Sequence, residues 1–118
     1  MTLGELILAL RAASVDPVVE GLAELLEKWK VDASNAEELR YTVERYIGYT
    51  WIASDEEHKA IYSLWSTFRD DCIEGCLGMT MNERLFCFDL IKVWDGAKTE
   101  AGRAAIRRKI DFEKSTSQ

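Results

Sequence analysis

The side chains that could carry catalysis are few: the chain has one histidine, three cysteines and several clustered carboxylates. His58 is the only imidazole, and imidazole catalysis needs a nucleophile or an orienting carboxylate placed beside it in space. His58 instead follows the acidic residues 55–57 at a predicted helix start, where a surface histidine is ordinary. We therefore predict a surface or structural role for His58 and no catalytic residue.

The three cysteines, Cys72, Cys76 and Cys87, could bind zinc only with a fourth ligand. Cys72 and Cys76 are four residues apart on a predicted helix and can share a face, but the chain has no Cys-x-x-Cys pair. We predict that the cysteines pack as small apolar residues and that the protein holds neither metal nor cofactor. A set of three cysteines also fits a reducing compartment better than a disulfide framework would.

An acidic cluster, Asp70, Asp71 and Glu74, lies late in a predicted helix, on the side away from its apolar residues. General acid–base catalysis needs a pocket that perturbs carboxylate pKa values, and an exposed helix face offers none. Like charges near a helix C-terminus are mildly unfavourable, so either plain solvation or a partner's lysines and arginines explains the cluster. The predicted partner-binding residues are these three acids together with Glu56 and Tyr62.

Aromatic and basic residues leave further alternatives open. Four aromatic residues suit either a core or a binding hot spot, and we predict a core position for most of them: Tyr41, Tyr49, Trp51 and Tyr62. A basic stripe near the C-terminus is predicted to be the solvated face of the last helix, with nucleic-acid contact as the alternative: Arg103, Arg107, Arg108 and Lys109.

Helix start signals determine the predicted fold. Ser/Thr-x-x-Glu capping boxes begin at Thr2, Ser34, Ser54 and Thr80, and Asp16 precedes a proline suited to the first helical position. Apolar residues recur at helical spacing behind each start, without the alternation of strands. We predict an all-α protein, a compact bundle of five to six helices in a single domain over residues 1–118, with a frayed tail at about 114–118.

The segment 78–95 is predicted to be the central helix, because its residues after the Thr80 cap are apolar on most sides. Those residues are Leu85, Phe86, Phe88, Leu90, Ile91, Val93 and Trp94. The glycines before it, Gly75 and Gly78, are predicted to form a left-handed C-terminal cap of the preceding helix.

Charge is spread unevenly over the chain. The net charge is −6, residues 1–97 hold 18 acidic against 9 basic residues, and residues 98–118 hold 3 against 6. An acidic body disfavours nucleic acid as the main partner and favours either solubility or a basic protein partner. No apolar run approaches the length of a membrane span, and the N-terminus lacks the pattern of a signal peptide, so we predict a cytoplasmic protein without membrane contact.

The run Met-Thr-Met-Asn-Glu-Arg-Leu-Phe at residues 79–86, followed by Leu90, Trp94, Asp95 and Ala97, resembles a segment of small bacterial proteins. These are helical immunity proteins, encoded beside the toxins of contact-dependent inhibition and related polymorphic toxin systems. The resemblance covers about residues 78–112. It implies a protein that is not an enzyme and that binds and neutralises one cognate toxin domain, often a nuclease, by blocking its active site or substrate surface.

Two rival hypotheses belong to other functional classes. The first is a helical adaptor or regulatory protein that self-associates or touches nucleic acid through the basic last helix. The second is a small enzyme or thiol-dependent protein that uses His58 or the pair Cys72 and Cys76. The acidic body and the missing catalytic constellation favour the immunity protein, because an acidic partner complements the basic surface that a nuclease presents to phosphate.

Overall fold

A computed structural model of the chain describes residues 1–50 and 54–111. These residues form seven α-helices: α1 (Leu3–Ala13), α2 (Pro17–Trp29), α3 (Ala36–Tyr49), α4 (Asp55–Phe68), α5 (Met81–Cys87), α6 (Ile91–Gly96) and α7 (Glu100–Ile110). A π-helix (Arg69–Glu74) continues α4, and a 3₁₀ turn (Cys76–Gly78) follows it. No strand occurs in the described residues, which confirms the all-α class. The predicted frayed tail at 114–118 and Trp51 lie outside them.

Seven α-helices replace the predicted five to six because the segment expected to be the central helix is broken. Phe88 and Leu90 are both fully buried, and two residues two positions apart lie on nearly opposite sides of an α-helix. Asp89 between them adopts a left-handed φ of 56°, which ends α5 and turns both apolar neighbours into the core. Phe86 stays 62% exposed, so the prediction of a central helix over 78–95 is wrong.

The helix that the core surrounds is α1, which packs between α2 and α4. Its residues Leu3, Leu6 and Leu10 are fully buried. Beside it, four aromatic rings make a continuous series of contacts across the core, with centroid distances of 5.5 to 5.8 Å: Trp29 to Phe88, Phe88 to Phe68, and Phe68 to Trp65. This series joins α2, the α5–α6 turn and α4, which explains why the chain breaks at Phe88.

Most of the predicted helix starts are confirmed. Thr2 and Thr80 make complete capping boxes, Asp16 accepts from the backbone N–H of Val18, and Ser54 makes half of a box. The start of α3 lies one residue later than predicted, since Asn35 forms the box with Glu38. The pairs Ser34–Glu37 and Asn35–Glu38 both have the spacing of a capping box. The backbone N–H of Ser34 donates to the side chain of Asp32 in a local turn, so Asn35 forms the cap instead.

These capping boxes give stability a dependence on pH. Hydrogen bonds from the backbone and side chain of Thr2 hold the pKa of Glu5 below its ordinary 4.5, and Thr80 does the same for Glu83. A depressed folded-state pKa contributes stability above the unfolded value, and this contribution is lost as pH falls through the folded pKa. We expect the free energy of unfolding, measured in urea, to fall between about pH 5 and pH 3, and to fall less in Glu5→Gln/Glu83→Gln. Glu24→Gln/Glu100→Gln is the control, and equal slopes in all three proteins would contradict the argument.

The end of α4 differs from the predicted glycine cap. Neither Gly75 nor Gly78 has a positive φ, so the left-handed cap predicted there is wrong. Gly75 is needed for a different reason: a Cβ on it would lie 2.6 Å from the carbonyl oxygen of Asp71 in the preceding π-helix turn. π-helical turns are rare and occur frequently at functional sites.

A disulfide joins the π-helix to the end of α5. Cys72 and Cys87 are bonded with their Cα atoms 6.0 Å apart, whereas Cys76 is buried and takes no part in this disulfide. The prediction that cysteines act only as small apolar residues holds for Cys76 and is wrong for the other two. Their pairing also removes the argument for a reducing compartment, since disulfides persist mainly in oxidising ones.

Reduction of this disulfide should destabilise the fold, because the bond closes a chain segment with a sequence separation of 15. We expect dithiothreitol to lower the free energy of unfolding by about 3 kcal/mol, from lost restriction of the unfolded chain. Cys76→Ala keeps the disulfide and controls for thiol exchange. Three titratable thiols in the denatured, unreduced protein would contradict the pairing.

Candidate partner-binding face

The predicted acidic cluster lies on the π-helix and is exposed. The side chains of Asp70, Asp71 and Glu74 are 62%, 51% and 42% exposed. Asp70 pairs with Arg69 at 3.1 Å, Asp71 with the amino group of Met1 at 3.1 Å, and Glu74 with Arg40 at 3.6 Å. The partners of Asp71 and Glu74 could not be read from the sequence, because Met1 and Arg40 are far away along the chain.

Arg69 connects this cluster to α3 and α4. One of its terminal nitrogens donates to Glu44 at 3.1 Å and to the hydroxyl of Tyr62 at 3.4 Å. The indole N–H of Trp65 donates to the same carboxylate oxygen of Glu44 at 3.2 Å. Hydrogen bonds to Tyr62 and Glu44 raise the pKa of Arg69, so its charge is permanent. The network holds Tyr62 by its hydroxyl while 43% of the residue stays exposed.

We call the exposed surface of α4 and the π-helix the acidic face. Residues 55–74 hold six acidic and two basic residues, a balance of −4 within a chain of net charge −6. Glu56 is exposed in the first turn of α4, where negative charge also suits the helix N-terminus. The structure therefore brings all five predicted partner-binding residues onto these two adjoining elements.

A row of exposed side chains on α3 was missed by the sequence analysis. Tyr41 and Tyr49 are 65% and 84% exposed, and Arg45 between them has its Cζ atom 5.6 Å and 5.9 Å from the two ring centroids. The spacing of four residues puts all three on one stripe of the helix. The prediction that most of the group Tyr41, Tyr49, Trp51 and Tyr62 lies in the core is therefore wrong, because the three tyrosines are exposed. The arginine midway between the two tyrosines was the signal that could have revealed this row.

His58 and the cysteines show no catalytic arrangement in residues 1–50 and 54–111. His58 is half-buried and lines an open, shallow depression with Lys59, Tyr62 and Ser63. No group of three or more histidine, cysteine, aspartate or glutamate side chains in the described residues could hold a metal ion.

The basic last helix is not the free stripe that the sequence suggested. Arg103 and Arg107 lie over the ring of Trp94, with their Cζ atoms 5.0 Å and 5.3 Å from its centroid. Lys109 is only 4% exposed, and its ammonium group lies 4.4 Å from the centroid of Trp29. The predicted solvated position of Lys109 is wrong, and Arg108 is the member of the stripe that faces solvent without such a contact.

Lys109 fastens α7 to the loop between α2 and α3. Its ammonium donates to the backbone carbonyls of Asp32 at 2.6 Å and Ser34 at 2.7 Å, and to the Asp32 carboxylate at 3.0 Å. Burial lowers the pKa of Lys109, against the opposing effect of Asp32. Burial alone would raise the pKa of Asp32, but hydrogen bonds from Ser34 and Lys109 lower it overall.

Arg84, within the segment that follows the Thr80 cap, has a structural role. Its guanidinium donates to the backbone carbonyls of Cys76 at 3.1 Å and Ile110 at 3.0 Å, and to the Asp111 carboxylate at 3.3 Å. Arg84 thus joins the 3₁₀ turn, α5 and the end of α7. The run that carries the resemblance therefore stabilises the fold and lies outside the acidic face.

A cleft of about 320 Å³ lies between the end of α2 and α7 and includes Lys30, Arg108 and Lys109. Lys30 pairs with Asp89 and Glu27, and Lys109 is held by Asp32 and Ser34. Two of the three cations are thus already paired within the chain. The acidic face carries the larger concentration of like charge and is the stronger candidate site.

Comparisons of the chain with protein families, with curated proteins and with solved structures give no match in any of the three. Among the described residues, no helix is both long and apolar enough to cross a membrane. The function is therefore argued from the side chains themselves and from the resemblance in residues 78–112.

Proposed function

We propose that this chain is an immunity protein that binds and neutralises one cognate bacterial toxin domain, a nuclease being the class of target that its charge favours. It acts without catalysis, cofactor or small-molecule substrate, by covering the toxin's active site or substrate surface. The observation that carries the proposal is the acidic face, where residues 55–74 concentrate four of the six units of net negative charge. Such a surface is complementary to the basic groove with which a nuclease binds phosphate.

Ion pairs within the acidic face determine whether its acids contribute to the rate of association or to the affinity for a partner. Asp70, Asp71 and Glu74 each have an intramolecular cation, so they are held in place before a partner arrives. Their contribution is expected mainly in the rate of association, because long-range charge steers encounter while exposed pairs add little affinity. Affinity must then come from buried anchors near the centre of the interface.

The proposal includes a cytoplasmic location, because an inhibitor of this kind meets its toxin inside the producing cell. The disulfide between Cys72 and Cys87 weighs against that location, since the reducing cytosol opposes disulfides. Alkylation of free thiols in intact cells before lysis decides the point. Two additional labelled cysteines relative to the oxidised protein place the chain in a reducing compartment.

The rival adaptor hypothesis needs a basic last helix available to nucleic acid. Lys109 is buried, which removes its ammonium group from the stripe, whereas Arg103 and Arg107 contact Trp94 and remain exposed. A mobility shift of labelled RNA or DNA that disappears in Arg107→Ala/Arg108→Ala would favour that rival.

The experiment that tests the proposal is co-expression of this chain, carrying an affinity tag, with the product of the neighbouring gene. We expect the two proteins to elute together from size exclusion as a stable one-to-one complex. Elution of the tagged chain alone, with the neighbouring product present and folded, would contradict the proposal.

A further inference from the structure

The row Tyr41, Arg45 and Tyr49 on α3, which we call the tyrosine ladder, lies on the exposed side of the helix. The buried residues of α3 are Ala36, Leu39, Val43 and Ile47, which lie on the other side of the helix. Both tyrosines project into solvent, at 65% and 84% exposure. Two neighbouring exposed tyrosines with an arginine between them have the composition of a binding hot spot, in which tyrosine and arginine are enriched.

The ladder is also ordered before binding. Arg45 lies against both rings and makes no ion pair with an acidic side chain of the described residues. Contacts through the ring faces leave the in-plane N–H donors of its guanidinium free for acceptors on another molecule. Side chains already held in place lose less conformational entropy when a partner covers them.

One row of α3 side chains, Arg40 and Glu44, separates the ladder from the acidic face. Two ion pairs join this row to the π-helix, Arg40 to Glu74 at 3.6 Å and Glu44 to Arg69 at 3.1 Å. Arg40 and Glu44 each precede a member of the ladder by one residue, which is about 100° around the helix, so they lie between the two surfaces. A shallow depression beside Tyr41 is lined by Glu37, Glu38, Arg40 and Thr42, which gives a partner's side chain a partly acidic place to enter.

We propose that the tyrosine ladder is the anchor of a protein-binding site whose occupant presents a basic surface. Tyr41 and Tyr49 supply buried contact area at the centre, Arg45 donates to carbonyl oxygens of the partner, and the acidic face flanks them and complements the partner's charge. Naming the partner as a toxin domain rests on the proposed function. The expected affinity of the ladder for basic polypeptides does not rest on the proposed function.

Short random peptides displayed on phage provide the test, because they locate a hot spot without knowledge of the natural partner. The full chain is immobilised and the recovered peptides are synthesised and titrated by fluorescence anisotropy. We expect peptides enriched in lysine and arginine, whose Kd rises at least about tenfold in Tyr41→Ala/Tyr49→Ala. We also expect these peptides to slow amide hydrogen exchange in α3.

Matched variants distinguish binding by the ladder from binding by exposed apolar side chains elsewhere on the protein. Leu8→Ala/Val31→Ala removes two side chains that are 70% and 77% exposed on other elements, and it should retain the affinity. Arg45→Ala should weaken binding, whereas Arg108→Ala should not. All these positions are exposed, so circular dichroism and thermal melting should show folded proteins in each case.

Three results would overturn the inference: recovery of no peptides or of peptides without basic enrichment, equal affinity in the ladder variant and its control, or a concentration-dependent dimer that Tyr49→Ala dissociates. The last result would make the occupant a second copy of the chain. Basic peptides that bind the ladder while the toxin remains fully active would leave this inference standing and would remove the proposed function alone.

Discussion

Lys109→Ala is expected to destabilise the protein by about 3 kcal/mol, which would lower the melting temperature by roughly 10 °C. The ammonium of Lys109 donates to the carbonyls of Asp32 and Ser34 and lies 4.4 Å from the ring centroid of Trp29. Alanine leaves two carbonyl oxygens without their donor at a position where the lysine is only 4% exposed. Urea unfolding and thermal melting measure the loss.

The neighbouring residue supplies the control. Arg108→Ala removes the same charge from the same helix at an exposed position and should change stability by no more than about 0.5 kcal/mol. Lys109→Met retains most of the apolar stem and should cost less than alanine, which separates the lost hydrogen bonds from the lost packing. If Lys109→Ala is as mild as Arg108→Ala, the lysine is solvated, as the sequence pattern suggested.

Reversing three charges on the acidic face should slow toxin binding by at least about tenfold at low salt. The variant Asp70→Lys/Asp71→Lys/Glu74→Lys removes the exposed cluster of the π-helix and opposes a basic partner. Because screening by salt already weakens steering, the difference from the unaltered protein should shrink as ionic strength rises. Stopped-flow association with the cognate toxin domain, over a series of salt concentrations, measures both effects.

A second triple variant changes the net charge equally at other places. Glu24→Lys/Asp95→Lys/Glu100→Lys alters exposed acids of α2, α6 and α7 and should leave most of the association rate intact. Thermal melting checks that both proteins remain folded, since exposed ion pairs contribute little stability. Equal slowing in the two variants would show that only overall charge matters and would remove these three acids from the interface.

Signals confined to a few neighbouring residues predicted the structure well. The capping boxes at Thr2 and Thr80 and the start at Asp16 depend on contacts within four residues, so their spacing was sufficient. The all-α class followed from these starts. The cap at Asn35 was misplaced by one residue because Ser34 offered the same spacing and a competing turn decided between them.

Features that depend on distant residues could not be predicted in this way. The break at Asp89 occurs because Phe88 must reach Trp29 and Phe68, which belong to two other helices. Lys109 is buried where it donates to the carbonyls of Asp32 and Ser34. These acceptors lie 77 and 75 residues away along the chain, so no local pattern could indicate the burial. The disulfide likewise joins Cys72 in the π-helix to Cys87 at the end of α5, across the 3₁₀ turn, and no local pattern indicated this pairing.

The exposed side chains of the candidate partner-binding face were predicted only in part. The acids of the π-helix are exposed, as expected for residues on the polar side of a helix, and the structure adds the cations that hold them. Most of the aromatic group that includes Tyr41 and Tyr49 was expected in the core, because aromatic residues are common there as well as in binding hot spots. Their helical spacing from Arg45 argued against that, since an arginine on the same stripe belongs at the surface.

The central claim, neutralisation by direct binding, is tested most directly by titrating the activity of the purified cognate toxin with this chain. We predict that activity falls in proportion to the added protein and is abolished at one equivalent, as expected for tight one-to-one inhibition. The acidic-face variant should need a longer incubation to reach the same end point. Full toxin activity in the presence of a molar excess of folded, disulfide-bonded protein would contradict the account.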